Sequence, residues 1–418
     1  MTLSPTRAPA PAPRTSRLRL ALVLGSLIAL GPLTIDLYLP ALPTITTDLA
    51  TTEATVQLTL TGTLLGLALG QLVIGPLSDA LGRRVPLIAG TAVHVLASLL
   101  CLIAPNIAVL GAARVLQGLG AAAGAVIAIA VVRDLYTGRA AATLLSRLIL
   151  VMGAAPVIAP TVGGWLLTFT SWRGVFAALA LFALALIPVA AWLLPETLPV
   201  QRRQTAGVAG TARTYRRLLR DRTFLGLVLV AGLAMSGLLS YVSGSSFVFQ
   251  QQFGLDQQTF GLVFGSAAVW LIAATQLNPV LLRRFEPQQI LLGAVAAAAG
   301  GGLVLLGLAL TATGGILGVL VPLWAALFAI GLALPNAPAV ALARHGDNAG
   351  TAAALLGAVQ FGLGAVVSPL VGVLGNDSVA MAAVIAAALS LSLIVLLTVV
   401  RPRQLVDEPA AVPAGSAG

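Results

Sequence analysis

Residues 18–39 read LRLALVLGSLIALGPLTIDLYL, a run long enough to cross a bilayer and almost wholly hydrocarbon-like. Its exceptions decide how the chain is read. Arg19 stands at the very start, and Asp36 stands well inside. Of the 13 acidic residues, Asp36 is the one placed within a long apolar stretch; the rest fall in polar gaps or in the C-terminal tail. A carboxylate in lipid is costly, and it persists where it faces a cavity, finds a partner or carries a proton.

Working outward, the same apolar texture repeats. Hydrophobic residues make up 58% of the 418, charged residues 9%, and mean hydropathy is +1.01. Soluble domains carry about 25% charged residues, so the chain is an integral membrane protein. Twelve apolar segments follow one another, at 18–39, 54–75, 86–104, 107–132, 142–167, 173–194, 223–247, 259–281, 288–311, 315–337, 350–374 and 378–400. The longest polar gap, 195–222, divides them six and six. The expected domains are a disordered N-terminal tail (1–17), a first six-helix bundle (18–196), a basic linker (197–222), a second bundle (223–400) and a disordered C-terminal tail (401–418). The first tail is Pro/Ala/Arg-rich and leads into a span too long for a cleaved leader, so none is expected. The one cysteine, Cys101, lies in an apolar run and has no second cysteine to pair with.

Arginine placement orients the chain. With the N-terminus cytoplasmic, 21 arginines fall on the inner side, including the seven between 202 and 222, and only Arg173 falls outside; Arg114 lies within a span. Both termini are therefore expected in the cytoplasm of a cell carrying this protein in its inner (plasma) membrane. The net charge of +10 is a topology signal and an attraction to anionic headgroups. No basic stripe with interleaved aromatics marks a nucleic-acid surface. Metal clusters, nucleotide loops and nucleophile triads are likewise missing from the sequence, which excludes an enzyme reading and implies no cofactor.

Local motifs sharpen the picture. The turn after the second span reads Gly75-Pro-Leu-Ser-Asp79-Ala-Leu-Gly82-Arg83-Arg84. Its glycines allow a tight turn, and Asp79 is placed to pair with Arg83 or cap a helix. Span four carries Arg114-Val-Leu-Gln117-Gly118-Leu-Gly120-Ala-Ala, and span five Gly153-Ala-Ala-Pro156-Val-Ile-Ala-Pro160-Thr-Val-Gly163-Gly164. Each proline removes a backbone hydrogen bond, and the glycines permit close helix approach. At about 1.5 Å per residue, Asp36 and Arg114 fall within several ångströms of one another in depth, so they are expected to face a shared cavity.

Six plus six spans with these motifs resemble the major facilitator superfamily, and within it the Bcr/CflA group of drug:proton antiporters. The span-one ending Asp36-x-x-x-Pro40-x-x-Pro43, Arg133-Asp134, Ser171-Trp172-Arg173 and Pro195-Glu196-Thr197-Leu198 extend the likeness over about 18–400. Ala159 departs from it, standing where many members have glycine. The segment Asn278–Gln289 is a decayed copy of the first-half turn, with Glu286 and two glutamines in place of glycine and arginines.

The resemblance implies an all-α fold of twelve transmembrane helices, in two six-helix bundles related by a pseudo-two-fold axis along the membrane normal. It implies a monomer that exchanges protons for small lipophilic drugs, through a site near the midplane. Asp36 and Arg114 would couple the proton, Gly75, Asp79, Gly82, Arg83 and Arg84 would form a conformational latch, and the span-five residues would mark the antiporter. Tyr38, Gln57, Thr61, Gln117, Tyr241, Asn336 and Gln360 are the polar candidates for the substrate site, as polar positions within otherwise apolar spans. Serine and threonine in spans more often bond a carbonyl one turn back. His94 in span three reads as a packing residue, and His345 falls in a loop. Two other readings remain: export of an endogenous metabolite or a self-made antibiotic, and a non-transporting membrane sensor.

Overall fold

The computed structural model describes residues 14–203, 208–343, 345 and 349–401, so the tails up to residue 13 and from 402 onward lie outside the described residues. Among those described, every regular element is a helix, and twelve helices are long and apolar enough to cross a membrane. The chain is a multi-pass membrane protein.

The first span is not a single rod. Helix α1 (Arg14–Asp36) stops at the carboxylate, a 3-10 turn follows (Leu39–Ala41), and α2 (Leu42–Asp48) completes the crossing. The remaining spans of the first bundle are α3 (Glu53–Leu81), α4 (Arg84–Leu102), α5 (Ile107–Leu135), α6 (Gly138–Leu166) and α7 (Trp172–Leu193). The linker contains a short helix, α8 (Val208–Leu218). The second bundle comprises α9 (Arg222–Phe247, continued by a π-helical turn to Gln252), α10 (Gln257–Leu281), α11 (Pro287–Leu310), α12 (Gly315–Ala343), α13 (Ala349–Val367), the single turn α14 (Leu370–Val373) and α15 (Ser378–Val395).

The polar residues in the gaps start these helices. Thr52 caps α3 through Thr55 N–H, Asn106 caps α5, Asp221 caps α9, Asp256 caps α10 and Asp377 caps α15. Each side-chain oxygen takes an amide that the first helical turn leaves without a partner. Glu286 and Gln289 form a reciprocal capping box on α11. The decayed second-half copy of the latch motif is therefore a helix start.

The most extensive packing between the bundles sets α3 against α13 and α6 against α10. Counted as spans, these are two with eleven and five with eight. Exchange of the halves turns one pair into the other, as a pseudo-two-fold axis requires. Span seven is the most enclosed of the twelve, with 78% of its apolar window buried. Two of its serines behave as hydroxyls in spans ordinarily do: Ser236 Oγ donates to Gly232 O at 2.8 Å and Ser240 Oγ to Ser236 O at 2.7 Å.

Candidate functional site

Where α1 ends, the two bundles meet. Asp36 is 4% exposed and, among the described residues, has neither a hydrogen bond nor an ion pair. It also sits at a helix C-terminus, where the dipole disfavours negative charge. The backbone just beyond is held tightly from both halves. Ser246 Oγ of α9 donates to Leu39 O at 2.7 Å, and Gly163 of α6 lies so close to Leu37 O that a Cβ there would overlap the carbonyl. Tyr241 of α9 lies within electrostatic reach of Asp36. The span-five glycine thus acts on the segment that carries the carboxylate.

Arg114 is fully buried on α5. It does not pair with Asp36. Nη1 donates to Thr34 O at 3.0 Å and to Gln117 Oε1 at 2.5 Å, and the guanidinium lies 4.0 Å from the centroid of the Tyr38 ring and 5.6 Å from that of Phe176. Among the described residues, Nε and Nη2 have no hydrogen-bond partner. The shared depth read from sequence thus brings Arg114 to the Thr34 carbonyl, two residues short of the carboxylate. Carbonyl, amide and aromatic faces support the buried cation here. His94 belongs to the same network: its Nε2 meets Thr34 Oγ1 at 2.8 Å, its Nδ1 meets Ser98 Oγ at 3.4 Å, and Gln117 Nε2 donates to Ser98 Oγ at 2.8 Å.

The polar candidates divide by surroundings. Gln117 is occupied with Arg114 and Ser98, and Tyr38 lies under the guanidinium with its hydroxyl 3.3 Å from Thr59 Oγ1. Tyr241 stacks on Phe264, with centroids 5.0 Å apart, and donates to Phe264 O at 3.4 Å. Asn336 Nδ2 donates to Asn278 Oδ1 at 2.6 Å and Leu332 O at 2.8 Å, tying α12 to α10. Gln57 bridges the bundles, bonding Ser243 O at 3.2 Å and Asn376 Oδ1 at 2.5 Å. Thr61, one turn on, has a buried hydroxyl without a partner, and Gln360 is 9% exposed.

At the end of the first bundle nearer the termini, Arg83 gathers the turn that follows α3. Its Nη1 contacts Asp79 Oδ1 at 2.5 Å and Ser78 Oγ at 3.0 Å, and its Nε contacts Asp134 Oδ2 at 2.8 Å. Burial works against the cation, but the hydrogen bonds to Asp134 and Asp79 outweigh it, and the Arg83 pKa rises. Gly82 makes the turn at φ +92°. Asp79 is not the helix cap. Glu196, from the irregular segment leaving α7, accepts Arg83 N–H at 2.9 Å, Arg84 N–H at 3.2 Å and Leu198 N–H at 3.0 Å. Burial would raise its pKa; those three amides and the charge of Arg203 prevail and hold it low. Arg84 donates to Ala191 O, and Thr197 Oγ1 reaches Asp134 Oδ2 at 2.9 Å. Gly75, six residues inside α3, has open space around it. Sequence reading noted Asp134 and Glu196–Thr197 separately; only the fold shows that they complete one cluster. His345, read as an ordinary loop residue, lies 3.1 Å from Asp221 Oδ2 and edge-on to Phe224.

With the geometry in place, comparison identifies the fold family. Residues 24–369 match the model of the Major Facilitator Superfamily. The chain belongs to that superfamily. Among curated superfamily members, it is 37% identical over 370 residues to the MFS-type transporter YdgK of Bacillus subtilis (strain 168), covering 88% of this chain and 92% of YdgK. It is 30% identical over 368 residues to the bicyclomycin resistance protein homolog of Haemophilus influenzae, covering 86% and 90%. It is also 30% identical over 389 residues to the multidrug resistance protein MdtL of Klebsiella pneumoniae (strain 342), covering 93% and 97%. Of solved structures, the xylose transporter XylE from E. coli superposes with a TM-score of 0.72 at 12% identity, over 92% of this chain and 97% of that one. A D-xylose-proton symporter gives 0.68 at 16% identity, over 90% and 96%. These superfamily likenesses fix the fold. The protein is a transporter of the superfamily, and not an enzyme.

Proposed function

We propose that this transporter exports small lipophilic drugs, of the kind named for its bicyclomycin- and multidrug-resistance relatives, in exchange for protons across the inner membrane, with both termini in the cytoplasm. The observation that carries the reading is Asp36: a buried carboxylate with no hydrogen-bond or ion-pair partner among the described residues, at the end of a helix, where the backbone of the first bundle is gripped by the second. A group so placed is costly to keep charged and easy to couple to a change of packing. A proton arriving on Asp36 from outside favours the inward-facing arrangement; drug binding from the cytoplasmic side promotes its release and export. Arg114, with two unused N–H groups nearby, is the cation that the ionised carboxylate would approach. Tyr38, Tyr241, Asn336, Gln360, Gln117, Gln57 and Thr61 are the proposed polar positions of the cavity and its walls. The superfamily turn at Asp79–Arg84 is proposed as the latch that biases the cycle without touching drug. Arg83 is linked there to Asp134, and Glu196 holds the turn through the Arg83 and Arg84 amides.

The deciding experiment is drug-driven proton release from purified protein in weakly buffered detergent solution. Release by the natural protein and none by Asp36→Asn supports exchange; drug binding without release in the natural protein overturns it.

A further inference from the structure

Away from the termini, one side chain of the second bundle is held between two of the first. Asn376 Nδ2 donates to Glu53 Oε2 at 2.6 Å, and Asn376 Oδ1 accepts from Gln57 Nε2 at 2.5 Å. Glu53 and Gln57 are four residues apart on α3 and therefore share a face. One amide needs an acceptor beside its nitrogen and a donor beside its oxygen, and this face supplies both. Asn376 presents that amide from a left-handed backbone, φ +61°, which asparagine tolerates better than most residues. Gln57 Nε2 continues across the bundle boundary to Ser243 O at 3.2 Å. Close approach is possible because residue 372 is glycine: a Cβ there would meet Gln57 Oε1 and the Ala54 backbone.

The clasp ends at the depth of Asp36. Ser246 bonds Leu39 O, and α1 and α9 cross in the same sense, so Ser243, three residues before Ser246, lies level with Asp36, three before Leu39.

We propose that Glu53, Gln57 and Asn376 form the gate that seals Asp36 from the face opposite the termini, and that Gln57 acts in transport by holding this gate rather than by touching drug. In the alternating cycle the bundles separate here, and these hydrogen bonds are the ones that break. The inference rests on the transporter fold and not on proton coupling, and its distance measurements use neither drug nor proton.

Asn376→Asp puts a carboxylate against Glu53 and removes the donor, while keeping size and the left-handed backbone. Adding Glu53→Gln restores a donor–acceptor match, because the new amide donates where Asn376 formerly did. After replacement of Cys101, spin labels at Thr47 and Leu374 report the separation of the bundles on this face by pulsed electron resonance, in drug-free protein at fixed pH. Losing the clasp should move the population toward separated bundles by roughly ten- to thirtyfold, and the double variant should move it back. Gly372→Ala, which wedges the same seam without altering charge, should shift it in the same direction as Asn376→Asp. An unchanged distance distribution in both Asn376→Asp and Gly372→Ala overturns the gate. So does a shift that Glu53→Gln fails to reverse, or a Gln57→Leu variant that loses drug binding with its distance distribution unmoved.

Discussion

Arg114 directs an N–H to the carbonyl oxygen of Thr34 at 3.0 Å, while Asp36, two residues further along, has no hydrogen-bond or ion-pair partner among the described residues. A buried cation with two idle donors and a buried carboxylate with idle acceptors stand on either side of one short turn. Neither arrangement is a resting ion pair. The turn after Asp36 is the part of span one held by Gly163 and Ser246.

Asp36→Asn keeps size and hydrogen bonding but cannot titrate. Proton release on drug addition should vanish, and pH-driven efflux in vesicles should fall to the level of protein-free vesicles, with equilibrium drug binding retained. Continued release would assign the proton elsewhere, and His94, in the same buried network, is the group to test next.

Gly163→Ala should impair transport while leaving the protein inserted and folded. Its new methyl meets Leu37 O, so the turn carrying Asp36 must shift. Comparing turnover with surface amount resolves the two; full activity at normal amount would show that the turn has room to spare.

Gln117→Leu removes an acceptor from Arg114 and a donor from Ser98. A buried donor left without its partner costs about 1–3 kcal/mol, so thermal unfolding in detergent should move down by several degrees. An unchanged unfolding temperature would mean that Arg114 finds another acceptor at no cost.

Glu196→Gln tests the latch through pH. The folded pKa of Glu196 lies below its ordinary value of 4.5. Its contribution to stability is therefore present above pH 4.5 and lost as pH falls through the folded value. The natural protein should lose part of its stability in that acid range, and Glu196→Gln should lack that step while being less stable at neutral pH. Equal acid sensitivity in both would remove Glu196 from the account.

Orientation has its own check. With Cys101 replaced, a cysteine at Gln258 should react with an impermeant reagent in intact cells, and one at Gln201 should react only after permeabilisation. The opposite pattern would invert the protein and the direction of export with it.

The fold was legible because lipid allows few solutions: twelve apolar runs and one polar gap leave little besides two helical bundles. Asp36 was legible for the same reason, as charge stands out against hydrocarbon. What the sequence hid is pairing between distant segments. Arg83 with Glu196, and Gln57 with Asn376, each join residues that no local periodicity connects. Asn376 lies in a polar gap, where an amide looks like any other loop residue. Depth bookkeeping found the level of Arg114 but not its partner, because depth says nothing about which way a long side chain turns. In sequence Glu286 stands only as a departure within the decayed copy of the first-half turn, and its capping role appears once the start of α11 is fixed.

The break in span one also has an electrical consequence. Asp36 lies twelve residues before the end of a 31-residue span, so under the proposed exchange a proton reaching it from the far face would cross roughly two-fifths of the membrane field. A full crossing is worth about 2.3 kcal/mol per 100 mV, which leaves about 0.9 kcal/mol for loading and the larger share for unloading toward the termini. Exchange of a neutral drug for one proton then carries net current. Membrane voltage should accelerate it even with no pH difference, and should act most strongly on the step that empties Asp36.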